Sequence, residues 1–370
     1  MRPINATINL PALASNIAVV RRLVHAARIW AVVKADAYGH GLMRILPALG
    51  CVDGLALLEL DAALRLRERG LRLPILLLQG FFSTDELAEF SRSRLTAVVH
   101  AVDQLAMLEG MKLSAPVDVY CKINTGMNRL GFAVAGADAV LGRLRACPNV
   151  GQITLMTHFA DADGARGVAE QMTGMHSLMA GAGRGLPCSF ANSAAILHFR
   201  ETHADWVRPG IMLYGGTPFG DDPLLSAEHF GLRPVMTLKS RIIASQDIRA
   251  GERVGYGGTF TATQATRVAI VACGYADGYP RQAPGGNGGG TPVLVGGERT
   301  RTLGRVSMDM LFVDVTSLPQ ANVGTGVTLW GDGLSADVVA AAAGTVSYEM
   351  LCALSQRVPV HVISEQLVSV

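Results

Sequence analysis

Short apolar runs recur along the first two-thirds of the chain, and stretches with helical spacing separate them. Residues 6–10 alternate apolar and polar side chains, the period of a half-buried strand. Pro11 then suits the first turn of a helix, with Leu13, Ile17, Val20 and Val24 along one face. Residues 29–33 and 54–58 read as buried strands, and a helix over 61–68 stops at Gly70. Another apolar run covers 73–79. The segment Ser83-Thr84-Asp85-Glu86 has the polar cap and early acidic residues of a helix start. Strands are predicted at 95–99, 117–123 and 153–158, with helices over 138–145 and 168–179.

Strands alternating with helices build βα units and a parallel sheet. Roughly seven or eight such units by residue 215 or so approach the count of a (β/α)8 barrel of the TIM type. An open doubly wound sheet is the alternative, although no GxGxxG follows the first strand. In a barrel, residues at the C-terminal strand ends share one mouth. The pattern changes after Gly231. Residues 237–245, 266–273, 293–295 and 310–315 are strand-like and separated by Gly and Pro, with short helices at 336–343 and 348–354. This divides the chain into a barrel domain over 11–230 and a mainly β domain over 231–370. The glycine run at 285–290 reads as a loop tip; no Lys-Ser or Lys-Thr follows it, which argues against a phosphate-cradling P-loop.

Composition narrows the class. Of 370 residues, 49% are hydrophobic and 17% charged, so a large core is expected rather than disorder. A net charge of +2 gives no reason to expect nucleic acid or an anionic membrane as partner. No apolar run reaches the roughly 18 residues of a membrane span. Residues 1–10 lack the apolar core of a signal peptide, which points to the cytoplasm. The six cysteines, scattered without CxxC spacing, suit reduced thiols better than disulfides or a metal site.

The candidate chemistry starts at Ala31-Val32-Val33-Lys34-Ala35-Asp36-Ala37-Tyr38-Gly39-His40-Gly41. A lysine at the end of a buried strand loses solvation, and its amine shifts toward the neutral, nucleophilic form. A strand-end lysine also snorkels to solvent, and taken alone that plain role is the commoner one. Lys122-Ile123-Asn124-Thr125-Gly126-Met127-Asn128-Arg129 closes another strand with two cations, and Thr157-His158-Phe159-Ala160-Asp161-Ala162-Asp163 follows a third. Ala191-Asn192-Ser193 opens a helix with Ser193 as its cap, and Arg208-Pro209-Gly210-Ile211 follows. The second domain adds Gly255-Tyr256-Gly257, Tyr275, Gly304-Arg305-Val306-Ser307-Met308-Asp309 and Ser347-Tyr348-Glu349. Each has a bland reading as a strand end, turn or helix start.

In this order, and across nearly the whole chain, these segments resemble the alanine racemases, fold-type III enzymes that use pyridoxal 5'-phosphate. The resemblance implies a (β/α)8 barrel, a C-terminal β domain joined by the strand at residues 1–10, and a head-to-tail homodimer with shared active sites. Lys34 would carry the cofactor. Tyr38, Ser193, Gly210, Ile211 and Tyr348 would hold its phosphate, with Arg208 at the ring nitrogen, His158 beside the ring, and Arg129 at the phenolic oxygen and the substrate. Lys122 matches a lysine that is carbamylated in the family. From the partner subunit, Tyr256 would be the second base and the Met308 amide would meet the substrate carboxylate. Asp163, Tyr275 and Arg305 would line the entrance.

The activity so implied is interconversion of L-alanine and D-alanine, serving either peptidoglycan synthesis or D-alanine catabolism. Two faces of one carbon are most simply served by two bases, here Lys34 and Tyr256. A tyrosine is a poor base at its reference pKa of about 10, and bringing it to about 7 requires roughly 4 kcal/mol of differential stabilisation. Three alternatives remain. One is a related pyridoxal-phosphate enzyme, either a broader-specificity racemase or a decarboxylase, although a decarboxylase normally pairs the ring nitrogen with an acid. The others are a non-catalytic carrier of the cofactor and a metal-dependent barrel hydrolase in which Lys34 is structural.

Overall fold

A computed structural model describes residues 2–364. The chain divides into two compact units, one comprising Ile17–Ala35 and Leu49–Gly210, the other Met1–Asn16, Asp36–Ala48 and Ile211–Val370.

In the first unit, eight parallel strands among the described residues close on themselves. They are Arg28–Val32, Gly54–Leu57, Ile75–Leu77, Thr96–Val99, Val117–Asn124, Val150–Met156, Cys188–Ser189 and Trp206–Val207, and the last pairs with the first through Trp206 and Arg28. This is the TIM-type barrel that the alternating pattern predicts. The strands Gly54–Leu57 and Ile75–Leu77 are apolar and buried at every position because both faces are covered. At one end, Trp30 stacks on Trp206 with centroids 4.3 Å apart and donates from Nε1 to the Tyr120 hydroxyl at 2.7 Å. Gly54 is required beside that ring, since a Cβ there would lie 2.2 Å from Trp30. Along the helix Leu10–Val24, Leu13, Ile17, Val20 and Val24 are all buried, as their spacing predicts. Ser83 caps the helix Thr84–Ser93 by accepting the Glu86 amide.

The second unit is built on antiparallel strands. Met236–Ile248 pairs with both Thr266–Val271 and Gly326–Trp330, and the chain of pairings runs on through Leu311–Asp314, Glu298–Leu303 and Pro292–Val295 to close a ring. Asn5–Asn9 joins this sheet antiparallel to Met236–Ile248 and parallel to Val360–Ile363. A buried carboxylate ties both ends of the chain into the unit. Asp277 accepts from Arg2 at 2.7 and 2.9 Å, from Arg357 at 2.7 Å and from the Gly274 amide at 2.9 Å. The segment at 285–290 is pinned rather than free: Asn287 exchanges two hydrogen bonds with the Thr261 backbone.

Candidate active site

The strand Arg28–Val32 delivers the chain to Lys34, and the backbone then turns the unusual way. The helical turn Lys34–Tyr38 is left-handed, with φ between +50° and +57° at Ala35, Asp36, Ala37 and Tyr38. None of these is glycine, and each L-residue in that conformation is disfavoured by about 1–2 kcal/mol. Local bonds hold the turn: Gly41 donates to the Asp36 carbonyl at 2.9 Å, and Leu42 donates to the Asp36 carboxylate at 2.7 Å. Gly39 follows at φ +77°, where a Cβ would sit 2.2 Å from the Leu351 carbonyl oxygen.

In the barrel unit three of the predicted residues, Lys122, Arg129 and His158, line one small cavity together with Asn124, Thr125 and Met127. Burial and the positive charges of Arg208, Arg129 and Lys34 lower the Lys122 amine to about 8. Burial, then Arg208, Lys122, Arg129 and Lys34, drive the His158 imidazole well below its ordinary range, so it is neutral. The four charges acting most strongly on this histidine are all positive. Arg208 is itself buried and held by hydrogen bonds from both terminal nitrogens. It donates to Ser189 Oγ at 2.6 Å, to the Thr157 carbonyl at 2.6 Å, to the Phe190 carbonyl at 3.0 Å and to His158 Nδ1 at 3.5 Å. Burial lowers it to about 10, which still leaves a cation at neutral pH.

Ser193 lies in the same unit, and its hydroxyl accepts the Gly210 amide at 2.9 Å. It is the first residue of the helix Ser193–His198 rather than its cap. Asn192 caps instead, accepting the Ala195 amide at 3.0 Å, because its longer side chain reaches back while the serine hydroxyl is taken by Gly210. Asp163 is exposed in the loop after Val150–Met156.

In the second unit Tyr38 stacks on Tyr214, centroids 4.8 Å apart, and lies 6.0 Å from the ring of Tyr348. Burial pushes the Tyr38 hydroxyl above its ordinary range. Ile211 is buried in the turn Ile211–Tyr214. A second group in that unit is exposed: Tyr256 at 68%, Met308 at 53% and Tyr275 at 38%. Tyr256 sits between Gly255 and Gly257 at φ +69° and +70°, and the Arg305 guanidinium lies against Gly257. The Tyr275 amide donates to the Ser307 carbonyl at 3.1 Å, and the Ala276 amide to the Met308 carbonyl at 3.0 Å.

Several supporting residues carry no motif of their own. Gln171 donates to the Thr125 hydroxyl at 2.9 Å and the His158 carbonyl at 3.1 Å, while Thr157 bonds Ile123 and Thr125, tying the loop after Lys122 to the one that carries His158. Ser189 sits on a two-residue strand too short to leave a periodic signal.

The family model for the alanine racemase N-terminal domain matches residues 8–218, and that for the C-terminal domain matches residues 235–362. The chain belongs to the alanine racemase family. An alanine racemase of Ralstonia nicotianae is 54% identical over 363 residues, which cover 98% of this chain and 95% of that protein. A catabolic alanine racemase of Salmonella typhimurium is 52% identical over 97% of this chain and 98% of its own length. Among solved structures, the biosynthetic alanine racemase of Pseudomonas aeruginosa superposes with a TM-score of 0.92 at 44% identity, covering 98% of this chain and all of that one. The alanine racemase of Bartonella henselae, solved with covalently bound pyridoxal phosphate, is 26% identical with a TM-score of 0.85 over 98% of this chain and 100% of its own. Alanine racemases as a family depend on pyridoxal phosphate.

Proposed function

We propose that this chain interconverts L-alanine and D-alanine with pyridoxal 5'-phosphate as its cofactor. The observation that carries the reading is the gathering of Lys34, Lys122, Arg129 and Arg208 around a neutral His158. Like charges held together in a desolvated place are costly without an anion. A cofactor with a phosphate and a phenolic oxygen, and a substrate with a carboxylate, supply anions to match. The residues therefore fit the group.

Lys34 would anchor the cofactor. Ser193, Gly210, Tyr38, Ile211 and Tyr348 would hold the phosphate, Arg129 the phenolic oxygen and substrate, and His158 the ring side. When bound, the cofactor supplies the electron sink that makes the α-proton of alanine labile. Arg208, held by Ser189, Thr157 and Phe190, would stand at the ring nitrogen as a fixed cation and would disfavour its protonation. The Lys34 amine takes or returns the proton on one face of the α-carbon. The hydroxyl of Tyr256 from a second copy of the chain serves the other face, and the Met308 amide of that copy orients the carboxylate. The exposure of Tyr256, Met308 and Tyr275 supports a homodimer in which these residues complete a neighbouring site. Asp163, Tyr275 and Arg305 line the entrance. A non-catalytic carrier would have no use for the second unit or for Tyr256.

Proton NMR of the purified protein with L-alanine in deuterated water, followed by chiral analysis, tests the reading. Loss of the α-proton signal with D-alanine appearing is expected. An absence of exchange with cofactor visibly bound overturns it.

A further inference from the structure

His40 closes the glycine-rich end of the lysine segment, yet none of the roles above uses it. It is fully buried, and its ring has two well-defined attachments. Nδ1 lies 2.9 Å from the carbonyl oxygen of Ala37 and 2.9 Å from that of Tyr38. Both partners are acceptors, so the nitrogen between them carries the proton. Burial lowers the imidazole to about 4, which keeps it neutral with that single proton at working pH. Nε2 has no partner among the described residues, so Nδ1 alone orients the ring through hydrogen bonding. The ring face packs on Tyr214 with centroids 4.6 Å apart, and Tyr214 in turn stacks on Tyr38 at 4.8 Å.

His40 thus grips Tyr38 twice, through its backbone carbonyl and, by way of Tyr214, through its ring. The grip falls where it is needed. Ala35 to Tyr38 run left-handed without a glycine, and a strained conformation of this kind persists only where its surroundings over-determine it. A right-handed relaxation of Ala37 and Tyr38 would carry both carbonyls away from Nδ1 and turn the Tyr38 side chain out of its stack.

We propose that His40 is a positioning residue: its Nδ1–H clamps the left-handed turn and thereby aims the Tyr38 hydroxyl at the cofactor's phosphate. The proposal rests on the phosphate-holding role of Tyr38 given above. It is specific in its consequences, because loss of the clamp should weaken recognition of the phosphate and not of the rest of the cofactor.

The test titrates the full-length chain, stripped of cofactor, with pyridoxal phosphate and separately with pyridoxal, which lacks the phosphate. His40→Phe keeps a ring against Tyr214 but removes the donor. It is expected to weaken pyridoxal-phosphate binding by about tenfold, the scale of one or two lost hydrogen bonds, and to leave pyridoxal binding within about twofold. His40→Asn places its amide nitrogen where Nδ1 stands and should restore most of the affinity; His40→Gln places it where Nε2 stands and should not. Tyr38→Phe should reproduce the phosphate-specific loss, and adding His40→Phe to it should weaken binding little further. If His40→Phe fails to fold, the Asn and Gln variants decide, and equal affinities overturn the proposal. Equal weakening toward both ligands, or no weakening, also overturns it while leaving the Tyr38 reading intact, provided Tyr38→Phe shows its own phosphate-specific loss. If Tyr38→Phe shows none, the phosphate reading of Tyr38 fails and the proposal falls with it.

Discussion

Lys122 illustrates how far a single side chain is governed by its neighbours. An isolated lysine amine is protonated until about pH 10.4. Here burial and three nearby cations bring it to about 8, so a substantial neutral fraction exists near physiological pH. Only the neutral amine attacks carbon dioxide. The product carries a negative charge, which relieves the repulsion from Arg208 and Arg129. We therefore expect protein equilibrated with 13C-bicarbonate to show a carbamate carbon resonance that grows as the pH rises through about 8 and is absent in Lys122→Ala. A spectrum identical in the two proteins removes the modification. The sequence places a lysine at this strand end but carries no measure of its electrostatics. The perturbing charges come from residues 34, 129 and 208, which only folding assembles around it.

At the scale of elements, most of the strands and helices were legible because the apolar period is strong where a surface is buried. The turn after Lys34 was legible only as a turn. Its left-handed winding was not, because Ala, Asp, Ala and Tyr have no individual preference for positive φ; the conformation is imposed by contacts with Gly41, Leu42 and His40. The strand Glu298–Leu303 was missed because four of its six positions are only partly buried or exposed, and charges interrupt its alternation. The two-residue strands Cys188–Ser189 and Trp206–Val207 are too short for any period. Gly39 supplies the prediction at this scale. Gly39→Ala forces a Cβ to within 2.2 Å of a backbone oxygen at φ +77°, and neither the turn nor the Leu351 carbonyl can yield cheaply. We expect destabilisation of about 3 kcal/mol or more, read as a lower urea midpoint at unchanged slope, together with weaker cofactor retention. A midpoint like that of the parent protein contradicts the tight packing described here.

Two predictions belong to the molecule as a whole. Burial works to raise the Asp277 carboxyl, but hydrogen bonds from Arg2, Arg357 and the Gly274 amide outweigh it, so its pKa lies below the ordinary value. A carboxylate depressed in the folded state contributes stability that is complete above its unfolded pKa of about 3.9. That contribution is lost as the pH falls through the lower folded value, where the native carboxylate must take up a proton. Asp277→Asn should lower stability near neutral pH by about 2–3 kcal/mol, a buried carboxylate with half-exposed partners, and should flatten the acid limb below pH 4 or so. Denaturant titrations at several pH values check both; parallel acid limbs in the two proteins refute the assignment. The second prediction concerns assembly. If Tyr256 of one copy serves the Lys34 of another, Lys34→Ala and Tyr256→Ala are each inactive alone, yet mixing them under conditions that allow subunit exchange restores partial activity. No recovery from a mixture shown to exchange subunits argues that each chain completes its own site.

The sequence by itself determined the alternation of strands and helices, the change to β structure beyond the barrel, and the ordered motifs that mark the family. These follow from periodicity and from residue types at fixed spacing, both of which are properties of the chain. Only the tertiary structure decided that Lys34, Lys122, Arg129 and Arg208 crowd one histidine, that Asn192 rather than Ser193 caps its helix, that Asp277 fastens both chain ends, and that His40 clamps a left-handed turn. Each of these depends on groups distant in sequence, or on a backbone conformation that local propensity opposes, and no window of sequence contains the contacts that impose them.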